Sequence, residues 1–140
     1  MDPAALRVAA LWAAWLLVML FHVELGLMPL FHGCSVEMQT RVPAGRLPAI
    51  FLSMLVYFLL PVLAMLLAVH AFTEPEGWSA SGAWRAFQFL LAAIYTMTNI
   101  GHFVADLCIP DSRFDQVVLM GVLTAIGLLL NWQTWLWWAP

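Results

Sequence analysis

The sequence predicts an all-α integral membrane four-helix bundle, and three observations carry that expectation. Hydrophobic residues make up 64% of the 140, and the mean hydropathy is +0.92. Charged residues make up only 9%, against about 25% in an ordinary soluble domain. Apolar stretches reach the roughly 20 residues needed to cross a hydrocarbon core of about 30 Å. Four of them use up nearly the whole chain, so 1–140 reads as a single transmembrane domain with both termini on one side.

The first helix is expected over about 4–31, with Asp2 and Pro3 suited to the N-cap and first turn. It carries Glu24, has only Arg7 as a leading charge and lacks an Ala-x-Ala site, so it reads as a retained helix rather than a cleaved leader. A polar loop, "HGCSVEMQTRVPAGRLPA", follows. The second helix is expected over about 50–72, with Pro61 as a kink near its middle. The third spans about 84–107 and is stopped by "CIPD". The fourth spans about 116–137; Ser112 and Asp115 form an S-x-x-D capping pattern before it, and its closing tryptophans resemble an interfacial aromatic belt.

Composition also excludes some functions. The chain has no lysine and five scattered arginines, which form no cationic surface for nucleic acid. Cys34 and Cys108 form no CxxC motif, and topology puts them at the same membrane face, where pairing or two independent thiols are both open. Arg7 and Arg85 fall at one face and Arg41, Arg46 and Arg113 at the other, a bias too small to set orientation. No phosphate loop, HExxH or G-x-S-x-G pattern is present. Glu37, Glu74, Glu76 and Asp111 read as loop or helix-start acids.

Function is sought instead in ionisable groups inside the membrane, where each costs about 2.5–3.5 kcal/mol near the bilayer centre on insertion scales. Tyr95, Asn99, His102 and Asp106 are spaced by four, three and four residues, which keeps them on one helix face. Asp106 sits in a last turn, where the helix dipole disfavours negative charge, and His102 is its i,i+4 partner. Both are expected to face inward. The first helix supplies His22, Glu24 and, at the rim, His32. By the 1.5 Å rise, His22 lies about 13 Å and His102 about 9 Å inside the matching helix ends. His22 and Glu24 are about 200° apart around the helix, so both cannot point into the bundle.

Three function classes follow. In one, His102, Asp106, Glu24 and His22 perform acid–base catalysis (isomerisation, cyclisation or hydration) on a lipophilic, isoprenoid-like molecule bound near Asn99, Tyr95 and His32. In another, His22 and His102 ligate a haem or a metal within a membrane redox assembly, with Glu24 and Asp106 as further metal ligands. In the third, the chain is a helper subunit or a proton-coupled carrier. Expected partners are the lipid bilayer, a lipophilic small molecule, and further copies or a larger membrane complex. With its four spans and "WRAFQFLLAAIYTMTNIGHF", the chain resembles in architecture the small sterol-isomerase-related membrane proteins, whose helices bury histidines and carboxylates around a lipid-shaped cavity. Its second helix lacks the buried carboxylate those proteins carry there.

Overall fold

A computed structural model describes residues 1–34, 43–109 and 112–139. Four long helices follow one another: α1 (Pro3–Phe31), α2 (Leu47–Thr73), α3 (Gly82–Cys108) and α4 (Phe114–Trp138). Short 3-10 turns at Ala44–Arg46 and Trp78–Ala80 lead into α2 and α3. Asp2 caps α1 by accepting from the Ala4 amide, and Ser81 caps α3 by accepting from the Trp84 amide. The expected Ser112 cap is corrected. α4 begins at Phe114 with Arg113 at the N-cap position, and the Asp115 carboxylate pairs with the Arg113 guanidinium instead. Glu37, Arg41 and Asp111 lie outside the described residues.

The segments Pro3–Phe31, Ala44–Thr73 and Phe114–Trp138 are long and apolar enough to cross a membrane. At 27 residues α3 is just as long, but a polar stripe lowers its apolarity. The bundle shields part of that stripe. Gln88, Thr96 and Asn99 are buried, while Leu17, Phe51, Leu52, Leu90 and Leu129 are exposed. Polar groups inside and large apolar side chains outside is the distribution that lipid imposes.

The closest helix pairs are α3 with α4, α1 with α4 and α1 with α2, which leaves α2 and α3 as the splayed pair. Side chains bridge that gap. Gln88 accepts from the Trp12 indole at 3.0 Å and donates to the Ala64 carbonyl at 2.8 Å, so one buried amide ties three helices together. Trp12, Trp15, Tyr57 and Tyr95 pack edge-to-face or tilted around it, with centroids 4.7–6.1 Å apart. Where α3 meets α4, Asn131 donates to the Ala92 carbonyl and to Thr96. Gly127 permits this approach, since a Cβ there would lie 2.8 Å from Thr96 Oγ1. Gly127→Ala is therefore expected to destabilise the bundle by about 1–3 kcal/mol, read as a lower unfolding midpoint in mixed micelles.

Two prolines, Pro61 near the middle of α2 and Pro29 in the last turn of α1, are accommodated without a break in the helix. Proline has no N–H, so the carbonyl four residues earlier loses its donor. For Pro61 that carbonyl belongs to Tyr57, and the Tyr95 hydroxyl donates to it at 2.6 Å. For Pro29 it belongs to Leu25, and the Arg113 guanidinium donates to it at 3.0 Å.

The face that carries both termini is tied together. The Trp137 indole donates to Asp2 Oδ2 at 2.7 Å, and Arg85 lies 3.7 Å from the same oxygen and over the Trp137 ring. His70 bonds Ser79 at 2.8 Å. Asp2→Ala removes both the helix cap and this junction, and is expected to cost about 1–2 kcal/mol of stability, again read by mixed-micelle unfolding.

Candidate functional site

The opposite end of the bundle holds His22, His102 and Asp106. His22 on α1 and His102 on α3 meet edge-to-face, with ring centroids 5.4 Å apart. Asp106, one turn beyond His102, places its Oδ1 3.6 Å from His102 Nε2. One ligand-type atom from each of the three residues lies within 4.8 Å of the other two. Two atoms of the cluster, His22 Nδ1 and Asp106 Oδ2, are buried without a hydrogen-bond partner among the described residues.

The expectation that His102 and Asp106 both turn inward is corrected in part. The Asp106 side chain is 14% exposed, but that of His102 is 53% exposed. The reason lies in which neighbour each edge of the stripe meets. At about 100° per residue, His102 sits between Tyr95 and Thr98 around α3, on the edge turned toward α2. Thr98 bonds Tyr57 of α2 on that edge. Since α2 and α3 splay apart, the edge opens.

The remaining sequence-derived candidates are distributed differently. Glu24 is exposed and has no ion-pair partner among the described residues. It lines a groove of about 420 Å³ on the outward face of α1, with Leu20, Phe21, Leu25 and Met28. The 200° separation from His22 takes it there, so Glu24 is not part of the cluster. His32 is exposed at the end of α1. Tyr95 is 3% exposed and committed to the Tyr57 carbonyl. Asn99 is 1% exposed, one turn from His102. Cys34 and Cys108 are both exposed free thiols.

Sequence reasoning missed what holds His22 in place. Gln116 donates to the His22 carbonyl at 3.2 Å, and Arg113, itself paired with Asp115, holds the Leu25 carbonyl three residues further on. The first turn of α4 thus grips α1 beside the cluster. Pro29 was the available signal, because it frees the Leu25 carbonyl for an outside donor.

Chemically, two imidazoles and a carboxylate form a donor set for a divalent transition metal such as Zn²⁺ or Fe²⁺. Three protein ligands leave positions open on the ion. The ring contact between His22 and His102 leaves no slab of space for a porphyrin between them. No protein-family model, curated protein or solved structure matches this chain.

Proposed function

We propose that the chain is a membrane protein that binds a divalent transition metal at His22, His102 and Asp106. The observation that carries this reading is the convergence of three ligand-type atoms from two helices within 4.8 Å. Lone pairs left without partners in an apolar bundle are costly, and a cation would satisfy them together. His102 Nε2 and Asp106 Oδ1 are 3.6 Å apart, a separation that two ligands about 2.0–2.2 Å from one Zn²⁺ adopt. The exposed flank of His102 would keep the open side of the ion toward the splayed edge of the bundle.

The test is metal content and affinity. Protein purified without chelators and loaded with Zn²⁺ should retain one ion per chain after desalting. Affinity should fall as pH is lowered, because the imidazoles bind metal only when neutral. A chain that retains no stoichiometric metal and shows no saturable Zn²⁺ binding by calorimetry would rule the reading out.

A second reading uses the same residues without a metal. In it, His102, oriented by Asp106, is a general acid or base for isomerisation, cyclisation or hydration of a lipophilic, isoprenoid-like molecule. The half-exposed imidazole, open to a substrate arriving at the splayed edge, favours it. Glu24 takes no part in this version, because it lies on the other side of α1. The two readings separate on a chelator: activity on such a substrate that survives complete metal removal belongs to the second.

A further inference from the structure

We propose that the α3–α4 interface carries a second polar site, between Asn99 and Thr124, built to hold a hydrogen-bond-accepting oxygen. The register of the two antiparallel helices is fixed by contacts on either side of this point. Asn131 bonds the Ala92 carbonyl and Thr96, and Thr96 packs on Gly127. Further along, Phe103 lies 3.5 Å from where a Cβ on Gly121 would be. Asn99 and Thr124 fall at one level between those contacts, each on the edge of its helix that makes them.

Asn99 is sealed from solvent and Thr124 is partly buried with its hydroxyl oxygen sealed, and neither group has a partner among the described residues. Asn99 is 1% exposed, and its amide nitrogen has no partner. The Thr124 hydroxyl oxygen is likewise buried without one. Other threonines in the bundle satisfy themselves: buried Thr134 donates to the Leu130 carbonyl and exposed Thr98 to the Tyr95 carbonyl. Thr124 makes no such bond. Within a bilayer there is no bulk water to compensate, and each unpaired group costs several kcal/mol. The Asn99 nitrogen can only donate, and the threonine hydroxyl can donate to the same atom. Their common partner is therefore an acceptor oxygen.

Such an oxygen has two sources, an internal water or the carbonyl of a lipophilic molecule. Either would sit one turn from His102. The site lies outside the His22–His102–Asp106 cluster and stands whether or not that cluster binds a metal.

The test observes the Asn99 side-chain amide directly, in full-length chain labelled with ¹⁵N-asparagine and held in lipid nanodiscs. Asn99→Leu assigns its signal. Magnetisation transfer from water to that amide identifies an internal water. With nonan-2-one carrying a ¹³C carbonyl added, a contact between the carbonyl carbon and the amide identifies the lipophilic ligand. In that arm, Asn99→Leu or Thr124→Val should weaken ketone binding roughly tenfold, as loss of one buried hydrogen bond does. If the wild-type amide shows neither water transfer nor a carbonyl contact, the slot is dry and the proposal fails. Greater stability of the Asn99→Leu/Thr124→Val double variant, with no loss of ketone binding, overturns it as well.

Discussion

Replacing His102 with alanine is expected to weaken Zn²⁺ or Co²⁺ binding by at least roughly 100-fold, since removing even an outer-shell partner of a metal ligand costs about 10–100-fold. His22→Ala should act similarly, because the two imidazoles approach each other from different helices. Asp106→Asn keeps the shape and removes the charge, so it should lower affinity without altering the fold. Glu24→Gln is the internal control. Glu24 lies on the outward face of α1 and should leave affinity unchanged. Equal effects at Glu24 and Asp106 would mean that the metal sees only net charge. Gln116→Leu is a positioning variant. Among the described residues the Gln116 side chain hydrogen-bonds the His22 carbonyl and no ligand-type atom, so the variant should weaken binding while the Co²⁺ complex keeps its coordination number.

Tyr95→Phe is expected to destabilise the bundle by about 1–3 kcal/mol, because it leaves the partly buried Tyr57 carbonyl unpaired. The interest lies in the rescue. Pro61→Ala restores an N–H at the position that ordinarily serves this carbonyl. In the Pro61→Ala background, Tyr95→Phe should therefore cost much less, and the double-mutant cycle should show strong coupling between positions on different helices. Additive costs would mean that the tyrosine hydroxyl contributes nothing at the proline gap. Unfolding in mixed micelles, followed by tryptophan fluorescence, reads all four corners of the cycle.

The four helices were legible from hydropathy and helix-ending residues, and their bounds moved by only a few residues, at ends where residues such as Pro48, Ala49, Gly82 and Ala83 carry little hydropathy signal of their own. The stripe on α3 was legible from spacing alone. So was the fact that His22 and Glu24 had to part company; which of them turned inward was not, since that depends on how α1 packs. The half-exposure of His102 was hidden for a related reason. Helical spacing places a residue on a face but does not say which neighbouring helix stands off from that face. The roles of Gln88, Gln116 and Arg113 depend on register between helices, and a single sequence does not carry that register. The prolines were a partial exception. Each one marks a free carbonyl four residues earlier, at Tyr57 and Leu25, and each carbonyl is met by a donor from another helix.

The measurement that bears most directly on the central claim is X-ray absorption at the zinc edge, on the full chain loaded with one equivalent of Zn²⁺ in nanodiscs. The cluster predicts a first shell of nitrogen and oxygen at about 2.0–2.2 Å, with the outer-shell scattering of two imidazoles, and loss of one imidazole in His22→Ala. A sulfur shell near 2.3 Å, which would assign the metal to Cys34 or Cys108, or an oxygen shell with no imidazole scattering, would contradict it.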